Sequence, residues 1–551
     1  MTQVRRPPAG TGAVGVVDLP ERCRLAPDVT VHEPTEEGAS WIIQRGSSHY
    51  LRVGADVARL ARSLDGRRDV DELAVHLGRP WSAEHVRGAL GRLWETGLLD
   101  DGTDRAPERP RRVTFVPPFT VQVTVLRPDR LLTALRPVLA PLTTRHAAVL
   151  VALVAAGGLV ALAARPAVLT QALGRPLPVA AYVAVLLAFF TSTVLHEFGH
   201  AMLLTRYGGR PSRMGVMLFY LAPACFCDVT DAWRLPRNRQ RVNIALVGVA
   251  VQGGIAGLAA LTTPWLPAGP VQDTVVLFSV VVYVSGLLNL VPLVKLDGYL
   301  ALMSHLDIPY LRDRAVTDAR RALARLFLGG RYARALDRRW SVPFGLACLL
   351  FPAYLVATGL AMWTGMLSSW GLVGAVVFST LAAYVVYLLG RGAVRMVREA
   401  RQAGARTWRI ALAGAVLTAA TGALLMLVEV PRTISGGYQT RDGQVELLLP
   451  PSADLDTLEA GTPVRLQRGG LATRAVTGAA VVADTDAVST EAPMTVFTPI
   501  TMADAPTAAV VAYPLTVTER PADPAGMAQV DVGQVTLGRM LFLTVVAPWG
   551  R

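Results

Sequence analysis

Long apolar runs alternate with short, arginine-rich polar segments through the middle of this chain, and that alternation sets its broad class. Apolar stretches lie near residues 147–164, 179–204, 243–263, 273–294, 341–363, 369–390 and 409–429. A helix needs about 20 such residues to cross a bilayer, so seven spans are expected. A further apolar stretch, Met214–Cys227, is shorter and contains Pro223, and it reads as a re-entrant hairpin. The two ends follow other rhythms. Val29–His32, Trp41–Gln44 and Tyr50–Arg52 read as short strands, and Ala55–Leu64, Val70–Leu77 and Ala83–Glu95 as helices, the last two opened by Asp69 and Ser82 as N-caps. Beyond the last run, Pro431–Arg551 alternates β-favouring stretches such as Val445–Leu449, Val464–Leu466 and Ala508–Tyr513 with Pro, Gly and Asp turns.

The fold class expected is therefore a polytopic α-helical membrane protein of seven spans. It carries an N-terminal winged-helix-like α+β domain (residues 1–105) and a C-terminal β-rich, barrel-like or sandwich-like domain (431–551). Between them lie a linker with an interfacial segment (106–145) and the membrane domain (146–430). Arg105–Arg112, rich in Pro and Arg, reads as the linker, and Leu131–Leu142 as an amphipathic segment at the interface.

Composition agrees: 52% of the 551 residues are hydrophobic and 17% charged, too apolar for an ordinary soluble protein of this length. Met1–Gly15 holds Arg5 and Arg6 but no apolar core, so no cleavable signal peptide is expected there. The net charge of +13 is concentrated in 205–241, 311–339 and 391–409, whereas Arg165–Ala180 and Thr262–Asp273 are sparse in arginine. By the positive-inside rule this places the N-terminus in the cytoplasm of a bacterial cell and the C-terminal domain outside its plasma membrane. The loop bias accounts for the charge without nucleic acid as a partner. Lys295, the only lysine, reads as a side chain snorkelling to the interface.

The chemistry sits in the second apolar run. His196-Glu197-Phe198-Gly199-His200 follows the apolar Val179–Leu195, and these are the only two of eight histidines inside an apolar run. On a helix, residues four apart project from one face, so both imidazoles can bind one zinc ion while Glu197 acts on its water. Ionisable side chains inside a membrane are expensive and usually functional. A catalytic zinc takes three protein ligands, and Asp297, at the end of the fourth run in Asn289-Leu290-Val291-Pro292-Leu293-Val294-Lys295-Leu296-Asp297-Gly298, supplies a hard carboxylate oxygen. Pro292 interrupts the helix there, which suits a segment lining a site. Both motifs end near the same predicted membrane face.

These two motifs, in this order and each at the end of an apolar run, resemble the site-2 protease family of intramembrane zinc metalloproteases. Leu290 stands where the commonest form of that family has proline. The pattern Asn-Leu-x-Pro-x-x-Lys-x-Asp-Gly-Tyr, with Asp228-Val229-Thr230-Asp231-Ala232-Trp233-Arg234-Leu235-Pro236 between the motifs, resembles the peptide zinc metalloprotease branch over roughly residues 110–430. The resemblance implies zinc held by His196, His200 and Asp297, Glu197 as the catalytic acid–base, and Asn289 binding substrate backbone. It also implies a ribosomally made precursor peptide as substrate, with peptide-modifying enzymes or an ABC transporter as neighbours. Regulated cleavage of a membrane-anchored signalling protein, and a non-proteolytic export or immunity factor on the same scaffold, remain alternatives.

The N-terminal hairpin and three helices resemble small PqqD-like peptide-recognition domains. Six arginines there (Arg59, Arg62, Arg67, Arg68, Arg87 and Arg92) are interleaved with seven acids, so no single-sign face for DNA emerges. Addition of a leader strand to the hairpin edge is the expected mode. Cys23, Cys225, Cys227 and Cys348 offer no disulfide framework. Cys225 and Cys227, in the hairpin beside the site, read as packing rather than as ligands, and Asp228 and Asp231 as structural or substrate-facing groups.

Overall fold

The computed structural model describes residues 20–33, 41–45, 49–100, 112–116, 120–219, 222–369, 371–451, 458–470 and 474–545. Met1–Gly15 and all of the Arg105–Arg112 linker except Arg112 lie outside them.

The chain opens with strands β1 (Val29–His32), β2 (Trp41–Arg45) and β3 (His49–Val53), an antiparallel sheet in that order. Helices α1 (Ala55–Ser63), α2 (Val70–Leu77) and α3 (Ala83–Glu95) follow. Asp69 closes a reciprocal capping box with Glu72 at the start of α2, and the Ser82 hydroxyl accepts from the His85 amide at the start of α3. The apolar faces meet in one core that includes Ile43, Leu60, Leu73, Val86, Leu90 and Leu93.

The segment expected as linker and interfacial helix holds more structure than that. Strands β4 (Val113–Val116) and β5 (Thr120–Leu126) precede the amphipathic α4 (Asp129–Leu139). Val113, Phe115, Val123 and Val125 lie within a Pro- and Arg-flanked stretch that disguised their alternation. The chain continues through α5 (Arg145–Ala163), α6 (Pro166–Gly174), the two-residue β6 (Leu177–Pro178) and α7 (Val179–Arg206). Met214–Cys227 is a hairpin, as expected, but one of strands, β7 (Met214–Phe219) and β8 (Ala222–Cys227). It joins the preceding pair in a four-stranded sheet ordered β4-β5-β7-β8, in which β8 is an edge.

Then come α8 (Asn238–Thr262), α9 (Pro270–Asn289), α10 (Asp297–Leu306), α11 (Leu311–Phe327), α12 (Ser341–Ser369), α13 (Gly371–Gln402) and α14 (Thr407–Leu427). Seven helices among the described residues are long and apolar enough to cross a membrane: α5, α7, α8, α9, α12, α13 and α14. They are the seven runs read from the sequence.

The C-terminal region is a barrel. Its strands are β9 (Glu429–Arg441), β10 (Gln444–Leu449), β11 (Pro463–Gly469), β12 (Arg474–Val482), β13 (Val488–Pro493), β14 (Ile500–Thr501), β15 (Thr507–Glu519) and β16 (Ala525–Thr536), followed by helix α15 (Leu537–Val545). The order β10-β9-β16-β11-β12-β15 closes through pairing of β10 with β15, and β13 extends β15. Tyr438, Leu447, Leu449, Val464, Leu466 and Val530 fill its interior. Closure removes the free edges that a long antiparallel sheet would expose.

By compactness the chain divides into two units. One comprises 1–149, 193–251 and 289–309, and the other 150–192, 252–288 and 310–551. In the second, Gly158 on α5 meets Gly257 on α8, where a Cβ would stand 2.4 Å from the Gly257 Cα. Small residues at such a crossing let two apolar helices approach closely. The Tyr283 hydroxyl on α9 donates to the Ala155 carbonyl at 2.7 Å. The first unit contains the candidate site.

Candidate metal centre

His196, Glu197 and His200 lie in the C-terminal half of α7. The four-residue spacing puts both imidazoles on one face, where both are buried. Their Nε2 atoms are 3.0 Å apart, with the rings edge to face. Asp297, the first residue of α10, brings its carboxylate to the same point. Oδ2 lies 2.9 Å from His196 Nε2, and Oδ1 lies 3.3 Å from His200 Nε2. Among the described residues this is the one group of three or more His, Cys, Asp or Glu side chains whose ligand atoms converge as a metal site would need.

The chain reaches Asp297 by a tight return. Helix α9 ends at Asn289, ahead of Pro292, and the backbone turns until α10 begins. The turn closes on itself at Gly298, where a Cβ would stand 2.0 Å from the Leu290 carbonyl oxygen. A side chain at 298 would push this turn apart. Asn289 is half-buried at the end of α9, and Lys295 is exposed.

Helix α8 supplies what the motifs did not reveal. The Ile244 carbonyl accepts a hydrogen bond from His200 Nδ1 at 2.6 Å. A carbonyl can only accept, so Nδ1 carries a proton, which leaves Nε2, facing His196 and Asp297, as the nitrogen that would present a lone pair to a metal ion. One turn further on, Gly248 leaves room for both rings, because a Cβ there would lie 2.5 Å from the Nε2 atoms of both His196 and His200. A glycine within an apolar run was the available signal, but sequence alone does not say what approaches it.

These residues fit a divalent metal ion. The carboxylate and the paired Nε2 atoms form the mixed N/O donor set that zinc takes, and a backbone carbonyl orients His200 from behind. Asp297 Oδ2 is buried with no hydrogen-bond donor, although His196 Nε2 is near. An orphaned carboxylate oxygen of this kind is what a cation would satisfy.

Glu197 faces the edge of the sheet, its carboxyl toward the backbone amide of Cys227 on β8. Asp228 N donates to the Arg213 carbonyl on the β7 side; by the alternation of an antiparallel ladder, the amides of Cys225 and Cys227 point the other way. Burial and the nearby Glu197 carboxyl push the Cys225 thiol up to about 11 and the Cys227 thiol well above its usual range. Protonated thiols are poor ligands, and neither joins the donor cluster.

Asp228 and Asp231 serve the fold. Asp228 accepts from the Ser212 hydroxyl at 2.8 Å and the Thr230 amide at 3.1 Å, with Arg213 at 3.3 Å. Burial would raise its pKa, but these hydrogen bonds and the Arg213 guanidinium hold it below the usual carboxylate range. Asp231 accepts from the Arg210 amide at 2.8 Å.

Comparison with known proteins gives one partial likeness and two blanks. The chain is 25% identical over 129 residues to a protein of Bacillus subtilis (strain 168) named "Putative peptide zinc metalloprotease protein YydH". That stretch is 23% of this chain, and it spans about half of the relative's length (49%). No family model matches. No solved structure matches.

Proposed function

We propose that this protein is a zinc-dependent endopeptidase of the membrane that cuts a ribosomally made precursor peptide. The observation that carries this reading is the convergence of His196, His200 and Asp297 on one point, with Glu197 on the same helix. The partial likeness to a protein named as a peptide zinc metalloprotease supports it.

In this reading His196, His200 and Asp297 hold the ion. When bound, zinc supplies a Lewis acid that makes water nucleophilic near neutral pH and polarises a carbonyl. Glu197 takes the proton of the attacking water on a carboxylate oxygen and delivers it to the departing amine. The outer edge of β8 offers the amide of Cys225 beside Glu197, so an extended substrate can pair with it and present its scissile bond. Asn289 is assigned to substrate backbone. The N-terminal domain, with its own core and the open edges of β1 and β3, is assigned to the leader.

The test is metal content against cleavage. Full-length protein in detergent is expected to hold about one zinc per chain, and His196→Ala, His200→Ala or Asp297→Ala to lose most of it together with precursor cleavage. Full zinc retention by Asp297→Ala contradicts the third-ligand assignment.

A further inference from the structure

The barrel begins and ends at the same place. Helix α14 runs into β9 with only Val428 between them, and β16 runs directly into α15. The two strands pair to their last residues, Val535 opposite Val430 and Thr536 opposite Glu429, and Leu537 N donates to the Val428 carbonyl at 2.8 Å. The start of α15 therefore stands beside the end of α14. Gly538 sits there, its missing Cβ only 3.0 Å from the Leu425 carbonyl oxygen. From that point α15 packs on α14 and also on α13.

A short helix lying on a soluble domain in water shows a polar face. Helix α15 has none. Met540-Leu541-Phe542-Leu543 covers a full turn with apolar side chains, and Met540, Leu541 and Phe542 are exposed. The sole charge is Arg539 in the first turn, close enough to the barrel to reach the polar boundary. The exposed apolar surface continues that of α14, where Leu417, Leu424, Met426 and Leu427 are also exposed. The nine described residues of this helix are about 14 Å long, roughly half of a 30 Å hydrocarbon layer.

We infer that α15 is a half-span whose occupant is the acyl-chain layer of the leaflet on the barrel side. The barrel is thereby held to the bilayer at one end of its β9–β16 pair by two adjacent helices, α14 entering and α15 returning. A single tether would let the barrel swing; two adjacent tethers on paired strands fix its tilt.

The test uses full-length protein in liposomes made with and without phosphatidylcholine brominated on its acyl chains, which quenches fluorophores buried in lipid. A bimane is attached at Phe542→Cys, with Leu417→Cys on α14 as the lipid-facing standard. Gln444→Cys is the aqueous standard, at the start of β10 and opposite Arg441, the far end of the thirteen-residue β9. The label at 542 is expected to lose most of its fluorescence in brominated lipid, as at 417, while that at 444 stays bright. Fluorescence at 542 that stays as bright as at 444 overturns the inference, whether water, a second copy or another protein covers the helix. Should Phe542→Cys fail to fold, Leu541→Cys gives the same reading.

Discussion

The Arg241 guanidinium on α8 lies 2.6 Å from the carboxylate of Asp307, the left-handed C-cap of α10. Arg241 is 2% exposed, donates also to the Leu235 carbonyl at 2.9 Å and to the Asn238 side chain, and packs over the Trp233 ring. Asp297 opens the helix that Asp307 closes. Arg241, Ile244 and Gly248 follow one another at helical spacing on one face of α8. That face thus anchors α10, orients His200 and makes room for both imidazoles.

Breaking the ion pair from one side strands a buried charge. Asp307→Asn is expected to cost about 2 kcal/mol, below the full cost of a buried pair because Asp307 is partly exposed, and to weaken zinc binding. Arg241→Met combined with Asp307→Asn should cost less than the sum of the single changes. Melting temperature and chelator competition check both; strict additivity contradicts the pairing.

Gly248→Ala separates metal binding from folding. Alanine favours a helix over glycine by about 1 kcal/mol, yet its methyl would stand 2.5 Å from both Nε2 atoms. The variant is expected to keep its helical circular dichroism and lose most of its zinc. Full zinc content would mean that the imidazoles meet elsewhere.

Asp228 sets an acid limit on the hairpin beside Glu197. Its folded pKa lies below the unfolded value of about 3.9. Its stabilisation is therefore complete above that value and is lost as pH falls through the lowered folded one. The gap in melting temperature between the wild type and Asp228→Asn is expected to be widest near neutrality and to shrink below about pH 4. A gap independent of pH contradicts this.

Apolar periodicity exposed seven helices because a bilayer demands long uninterrupted runs. It exposed the candidate metal donors because charged groups stand out against such runs. The reading of α2 and α3 rested on the Asp69 and Ser82 caps, local chemistry that needs no tertiary partner. Strand β5 was hidden because its pairing with β7 depends on residues about ninety positions away, and β4 because it joins the sheet only through β5. Gly248 and Arg241 were hidden for a similar reason: each acts through a neighbour on another helix, and nothing in its local spacing names that neighbour. Helix α15 lay within a segment read as strands and turns, and its nine residues fall short of a full span.

Leader capture through a strand edge depends on backbone hydrogen bonds, so it should survive moderate salt. Full-length protein is expected to bind precursor peptide almost equally at low and moderate salt, and a variant lacking residues 1–105 to bind it much more weakly while keeping its zinc. Salt-sensitive duplex DNA binding without peptide binding would remove the leader-recognition assignment.

Glu197→Gln tests the central claim most directly, because glutamine keeps the shape of the side chain but cannot take a proton from water. Cleavage of precursor peptide by the purified, zinc-replete variant is measured beside the wild type in the same detergent. The account predicts normal zinc content and a rate lower by a factor on the order of a hundred or more. Near wild-type cleavage by a zinc-replete Glu197→Gln protein would contradict it.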